Sequence, residues 1–334
     1  MTEFLDACYA AIRKQETSIE KTIIAADDRA VDIFNDKRLI VLTGCGDSYA
    51  VAEYGRWAFL RVGLNAIAVS PTEIPQIQLD DRCAVIGISA SGRSLATIDA
   101  LKNVKSTEAT TIVLTDNEEG NASEFADFVW TTRADVDSYN ISPSSITTTA
   151  MAYLLKLAVG HQAIPHSGIH NDLNQLKQIG KKLVSWAEDT GKRIAEVPKV
   201  GKPLFMISEG ANYAAAQVGM MKFNEYGVFQ SAAALTEDFQ HHNVLTANEG
   251  DGAVLITQSP TGERDKRYMR ALIDTLRMRA FHLYTPNDLQ LESPLGQAIA
   301  NSIALQMAAY YNILKYDSGK EHWREPNVDA FKIY

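Results

Sequence analysis

The chain has 334 residues, 46% of them hydrophobic and 22% charged, enough apolar material for about two domains of ordinary size. A net charge of -9 excludes a general nucleic-acid or membrane-surface binder, because no basic stripe is present to neutralise phosphate backbones, yet it leaves room for a small anion in a local pocket. No apolar run approaches the roughly 20 residues of a membrane span, and the opening MTEFLDACYAAIRKQE carries charges where a signal peptide needs an apolar stretch, so the expected location is the cytoplasm.

Residues 1–36 read as one long helix packed on the domain, since apolar residues recur at Phe4, Ala7, Cys8, Ala11 and Ile12 and again at Ile19 and Ile23. From Arg38 the pattern changes to strands at 38–43, 65–69, 83–88, 110–115 and 127–131, with helices at 47–62 and 93–104. Runs such as AVIGI from Ala84 and TIVLT from Thr111 are continuously apolar and too short for helices, which suits strands of a parallel sheet covered on both faces. The alternation predicts a doubly wound α/β design. Cys8, Cys45 and Cys83 are scattered, and buried thiols are expected rather than a disulfide framework or a zinc site.

Two small-residue turns follow strands and open helices in this half, GCGDS at Gly44 to Ser48 and SASGRS at Ser89 to Ser94. Ligands of an open parallel sheet bind beyond the carboxyl ends of the strands. There the free N–H groups of a helix start carry partial positive charge, Gly92 permits close backbone approach, and Ser89, Ser91, Ser94 and Ser48 supply hydroxyls. A phosphate monoester fits this chemistry. Serines at helix starts are also ordinary caps, and it is the pairing of two such loops that favours a ligand. The third glycine of a dinucleotide fingerprint is missing and no nucleotide P-loop occurs, so neither a nicotinamide nor an ATP cofactor is expected.

Residues 161–200 begin with a Pro/Gly/His-rich break and continue as an amphipathic helix, which reads as a linker; His161, His166 and His170 in it read as solvated. Beyond it the first half is echoed. PLFMISEGANYAAAQVGMMKF from Pro203 repeats the layout of RLIVLTGCGDSYAVAEYGRWAF from Arg38, AVLITQSPTGE from Ala253 that of AVIGISASGRS from Ala84, and FHLYTPNDLQ from Phe281 that of TIVLTDNEEG from Thr111. The offsets all lie near about 165 to 171 residues. Two similar halves are expected: a segment at 1–36, a domain at 37–160, a linker at 161–200, a second domain at 201–320 and a tail at 321–334.

Taken together, GCGDSYAVAEYGRWAF, the EI at Glu73, ISASGRS and SSITTTAMAYLL from Ser144 resemble the sugar isomerase (SIS) domain family, and the duplication resembles its double-domain members. The nearest patterns are those of the isomerase half of glutamine-dependent glucosamine-6-phosphate synthase, of glucosamine-6-phosphate deaminases and of fructosamine-phosphate deglycases. The resemblance implies two tandem flavodoxin-like parallel-sheet domains, a hexose 6-phosphate substrate and a phosphate held by Ser48, Ser89, Ser91, Gly92 and Ser94, with Gly46 and Ser145 beside the sugar. The family loop usually reads Ser-x-Ser-Gly-Glu/Asp-Thr; Ser94 keeps the hydroxyl, whereas Arg93 reverses a charge.

In the second half, MMKFNEYGVFQSAAALTEDFQHHNVL resembles the family segment LK-x-x-E, followed about 16 residues later by an acidic-x-x-His turn. By position this implies Glu225 as the isomerisation base, His241 as the ring-opening histidine and Lys222 as the nearby lysine; His242 and Asn243 stand where a glycine and a proline are usual. Moving a proton between C1 and C2 suits a carboxylate, and exchanging the proton on the ring oxygen suits an imidazole. The His241-His242 pair also invites a metal reading, but adjacent residues point apart and no further ligands are evident, so no metal is expected. The tail REPNVDAFKIY resembles the segment that closes over the sugar in such enzymes, with Lys332 as a candidate Schiff-base nucleophile. The resemblance further implies a homodimer with shared sites.

The chain begins directly with the helix before the first half, so an amidotransferase domain and glutamine-dependent synthesis are not expected. The reading that results is aldose–ketose isomerisation coupled to deamination or deglycation of an amine-bearing hexose 6-phosphate. Simple phosphosugar isomerisation and non-catalytic sugar-phosphate sensing are the alternatives.

Overall fold

A computed structural model describes residues 2–136, 141–161, 167–227, 229–259, 262–322 and 330–331. The chain forms two compact units, one of residues 14–180 with the tail residues 330 and 331, the other of residues 2–13 with residues 181–322.

The leading segment is not one helix. It divides at Lys14 into α1 (Glu3–Arg13) and α2 (Gln15–Ala25), followed by a 3-10 stretch at Asp28–Phe34, and α1 belongs to the unit of the second sheet. The reason is the face each helix buries. Phe4, Leu5, Cys8 and Ile12 of α1 are apolar. By contrast α2 buries Gln15, Ser18 and Thr22 beside Ile19 and Ile23, and these polar groups find fixed partners in the unit of residues 14–180. The Ser18 hydroxyl bonds that of Ser145 at 2.8 Å, and the Thr22 hydroxyl accepts from the Arg133 N–H at 2.9 Å.

In that unit β1 (Leu39–Gly44), α3 (Asp47–Arg61), β2 (Ala66–Val69), β3 (Cys83–Ile88), α4 (Leu95–Lys105), β4 (Thr110–Thr115), β5 (Phe128–Thr131), α5 (Ser145–Gly160) and α6 (Ser167–Leu176) succeed one another. The five strands form a parallel sheet in the order β2-β1-β3-β4-β5. Every residue of β3 is buried, as its unbroken apolar run requires. One face packs Val41, Val85 and Cys83 against Ile74, Ala100 and Val104. On the other, Gly55 of α3 lets the helix close on the sheet, since a Cβ there would stand 2.5 Å from Leu42 and 2.7 Å from Leu154 of α5. The order reverses direction between β1 and β3, the crevice where open α/β sheets place their ligands.

The other unit contains α7 (Gly180–Ile194), β6 (Leu204–Ser208), α8 (Asn212–Tyr226), β7 (Ser231–Leu235), α9 (Thr236–His241), β8 (Gly252–Ile256), α10 (Glu263–Arg270), β9 (Arg279–Leu283) and α11 (Pro294–Tyr316). Its parallel sheet runs β7-β6-β8-β9, the same order as β2-β1-β3-β4. The three sequence echoes therefore fall on β1 and β6, β3 and β8, and β4 and β9. Among the described residues β5 has no counterpart. Residues 161–200, expected to continue as one helix, hold α6 and α7. Glu188 of α7 gathers the Tyr9 and Tyr311 hydroxyls at 3.2 and 2.6 Å, Arg13 at 2.9 Å and Lys192 at 3.0 Å, fastening α1 to α7 and α11. Among the described residues no helix is long and apolar enough to cross a membrane.

Candidate functional sites

The two serine-bearing loops meet because their strands end together. Gly44 of β1 stands in register with Ile88 of β3, so GCGDS and SASGRS leave the sheet side by side. A Cβ on Gly44 would lie 2.7 Å from that of Ser48 and 2.9 Å from the Ile88 carbonyl oxygen; only glycine allows α3 to begin this close to β3. Gly46 then turns the chain with φ 55°, a conformation open to glycine. The contact between the loops is direct. Ser94 donates to the Cys45 sulfur at 3.6 Å, and Thr97 donates to the Ser94 oxygen at 3.2 Å.

Ser89 is the distinctive group here. It is 2% exposed, and its hydroxyl has no hydrogen-bond partner among the described residues. A buried hydroxyl without a partner costs about 1–3 kcal/mol, so its natural complement is an acceptor brought by a ligand. Ser91 is half-buried, and its oxygen accepts from the Arg93 N–H at 3.3 Å, while the Arg93 side chain lies at the surface. Gly92 has φ 66°, and a Cβ there would meet the Gly120 Cα at 2.7 Å. The loop is thus pressed against the turn after β4, where the Asn117 amide donates to the Ser91 carbonyl at 3.1 Å. Ser48 and Ser94 are half-buried at the starts of α3 and α4. At the start of α3 the Ser48 and Tyr49 N–H groups bond the Cys45 and Gly46 carbonyls at 3.0 and 2.9 Å, whereas the first-turn N–H groups of α4 have no acceptor within the helix. Hydroxyls and a helix start gathered in this way have the chemistry to hold a small anion.

Sequence reasoning missed Cys45, Thr97, Asn117 and Gly120 as its supports. Cys45, expected to be a buried thiol, is exposed just past the end of β1; Cys8 and Cys83 are buried as expected. The Asn/Gly content of the turn after β4 was the available signal for Asn117 and Gly120. Thr147, in the first turn of α5, is a further buried hydroxyl with no partner among the described residues.

Ser145 is not brought into this group by any contact. It is wholly buried, shares a 2.8 Å bond with Ser18 and donates to the Ala134 carbonyl at 3.1 Å, so its hydroxyl is engaged in joining α5 to α2.

In the second unit Lys222 and Glu225 face each other one turn apart on α8. The Lys222 ammonium, 1% exposed, lies 2.9 and 2.8 Å from the two carboxylate oxygens of Glu225, whose side chain is 25% exposed. His241 closes α9 with its ring 79% exposed and Nε2 3.9 Å from Glu237. His242 caps the helix, and Asn243 opens a short 3-10 turn where the family pattern has proline. Lys332 and His166 lie outside the described residues.

Residues 33–159 match the family described as the SIS domain. Glutamine–fructose-6-phosphate aminotransferase (isomerizing) of Pyrobaculum aerophilum is 25% identical over 304 residues, which cover 85% of this chain and 50% of that protein. The chain spans about half the length of the curated relatives it matches. Among solved structures, the C-terminal domain of glucosamine-fructose-6-phosphate aminotransferase from Francisella tularensis superposes with a TM-score of 0.75 at 16% identity, covering 92% of this chain and 94% of that one. Glucosamine-6-phosphate deaminase from Thermotoga maritima gives 0.73 at 17% identity, covering 93% and 95%. At these identities the likeness is one of fold.

Proposed function

We propose that this SIS-type chain is an enzyme of phosphosugar metabolism that binds a hexose 6-phosphate through the Ser89–Ser94 and Gly44–Ser48 loops and isomerises it between aldose and ketose. The observation that carries the reading is the buried hydroxyl of Ser89 just past the end of β3, without a partner among the described residues, beside two loops linked through Cys45 and Ser94. Ser48, Ser91 and Ser94 supply further donors, and Gly92 lets the loop close on the turn at Gly120, which gives it its shape.

The chemistry assigned to the second unit needs two proton movements. His241 exchanges the proton of the ring oxygen as the sugar opens, and Glu225 carries the proton between C2 and C1. Lys222 holds the carboxylate by both oxygens, which fixes its orientation and keeps a positive charge where an enediolate develops. With an amine at C2, the same proton transfer gives a ketimine that water converts to ketose and free amine, so that glucosamine 6-phosphate and water yield fructose 6-phosphate and ammonia. Lys332 is assigned to the Schiff-base variant of this step. The exposure of His241 on its own chain supports a homodimer in which the histidine serves a second copy. The similarity to proteins named as an isomerizing aminotransferase and a glucosamine-6-phosphate deaminase supports the amine-bearing class.

The test is a panel of hexose 6-phosphates, glucosamine 6-phosphate and fructosamine 6-phosphates, scored for ammonia, amino acid and ketose. Release of amine from at least one member is expected. Binding without turnover of any member would make the chain a sugar-phosphate sensor, turnover of amine-free sugars alone would reduce it to an isomerase, and no binding at all would refute the phosphate site.

A further inference from the structure

The strand ends of the second sheet are closed by groups of the chain itself. Arg264, in the first turn of α10, places Nη1 3.1 Å from Glu209 and Nη2 3.0 Å from Glu237 and 3.3 Å from the Thr236 hydroxyl oxygen. Thr236 donates to the other Glu209 oxygen at 2.8 Å, and the Tyr268 hydroxyl, one turn along α10, donates to the Thr236 carbonyl at 3.1 Å. Glu209 is the first residue after β6 as Cys45 is the first after β1, and Arg264 lies in the first turn of the helix that follows β8. Where the first sheet presents an anion cradle, the second places a carboxylate and an arginine that satisfy one another.

The element held by this grip is α9. It has six residues, too few to persist as an isolated helix, and its first turn is what Arg264, Glu209 and Tyr268 seize, with Phe239 anchored in the core. Glu237 and His241 lie one turn apart on the same face, with the imidazole Nε2 3.9 Å from the carboxylate. Each exposed ion pair contributes little alone; the geometric effect comes from one planar guanidinium shared by three acceptors.

We propose that Arg264 is a positioning residue: by gripping Glu209, Thr236 and Glu237 it fixes α9 and, through Glu237, the ring of His241. It touches no substrate. The inference rests on the ring-opening role given to His241 above.

Hydrogen exchange of the full chain reads the grip without reference to activity. In Arg264→Gln the amides of residues 238–242 should exchange about 10-fold faster, and Arg264→Lys, which keeps the charge but loses the fork, should fall between it and the wild type. Wild-type rates in Arg264→Gln would overturn the proposal. Turnover is then compared on fructose 6-phosphate and on 5-deoxyfructose 6-phosphate, which has no hydroxyl with which to close a ring. Arg264→Gln should lower kcat on the first roughly 5- to 10-fold at unchanged KM, spare the second, and add nothing in a His241→Asn background. Equal loss on both sugars, or full additivity with His241→Asn, would show a general structural role and overturn the proposal. If His241→Asn itself fails to distinguish the two sugars, the ring-opening assignment is what falls, and the catalytic half of the clamp falls with it.

Discussion

Replacing Ser89 with alanine should make the empty protein more stable and the ligand weaker, two effects of opposite sign from one atom. The Ser89 hydroxyl is buried with no partner among the described residues, a condition that costs the folded chain about 1–3 kcal/mol. Alanine removes the oxygen and keeps Cβ, leaving a void too small to offset the whole gain. A net stabilisation of about 1 kcal/mol, or a shift of about 2 °C in a chain of this size, is expected in thermal unfolding without ligand. In the proposed phosphate site, a bound dianion accepts a charge-assisted hydrogen bond from the same hydroxyl. Its loss should weaken binding of glucose 6-phosphate and of inorganic phosphate by about 1.5–3 kcal/mol, roughly 10- to 150-fold, in titration calorimetry. Ser91→Ala provides the contrast: affinity falls, but the bond its oxygen accepts from the Arg93 N–H is lost as well, so no stabilisation accompanies it. Unchanged affinity in Ser89→Ala, or a loss of stability, would refute the reasoning.

Ser145→Ala should behave in the opposite way, losing about 1–3 kcal/mol of stability because it removes two buried hydrogen bonds, with phosphate affinity unaltered; a change in affinity would return Ser145 to the site. Glu188→Gln probes the attachment of α1. Burial works against ionisation of Glu188, but the hydrogen bonds from Tyr311 and Lys192, the Lys192 charge and the Tyr9 hydroxyl outweigh it and bring the carboxyl down from 4.5 to about 2. Because the folded value is the lower one, the stabilisation is present above pH 4.5 and fades as the pH falls towards 2. Denaturant titration at pH 7 should show Glu188→Gln weaker by about 2–3 kcal/mol, with the gap to wild type narrowing as the pH is lowered through that window; a gap independent of pH would place the loss in packing.

What was legible in the sequence was what depends on local pattern. The strand expected at 83–88 is β3 residue for residue, because a fully buried parallel strand is an unbroken apolar run with turn residues at its end. The adjacency of GCGDS and SASGRS followed from strand order, and the Gly44–Ile88 register realises it. The break at Lys14 was not legible. Counting apolar positions credits Ile19 and Ile23 to a continuous amphipathic face, whereas α2 is seated by Gln15, Ser18 and Thr22, whose partners lie more than a hundred residues away. Ser145, placed beside the sugar by resemblance, bonds Ser18 at 2.8 Å, a contact that a serine at a helix start does not announce in its local sequence. Cys45 was read with its apolar neighbours, although β1 ends one residue earlier and leaves the thiol at the surface. The Glu209–Arg264–Glu237 clamp carries no sequence signature, since its members are ordinary charged residues until the loops after β6 and β8 bring them together.

The central claim is that this chain moves a proton between neighbouring carbons of a bound hexose 6-phosphate and that Glu225 carries it. The most direct measurement is deuterium incorporation from heavy water at C2 of the remaining aldose and at C1 of the ketose product when glucose 6-phosphate or glucosamine 6-phosphate is incubated with the protein, followed by proton NMR. The wild type should carry label at C2 of the aldose or C1 of the ketose with at least one of them, and Glu225→Gln, which keeps the size of the side chain and removes its basicity, should slow labelling by roughly 10²- to 10⁴-fold with binding little changed. Labelling by Glu225→Gln at the wild-type rate, or none by the wild type on a sugar it binds and turns over, would contradict the account.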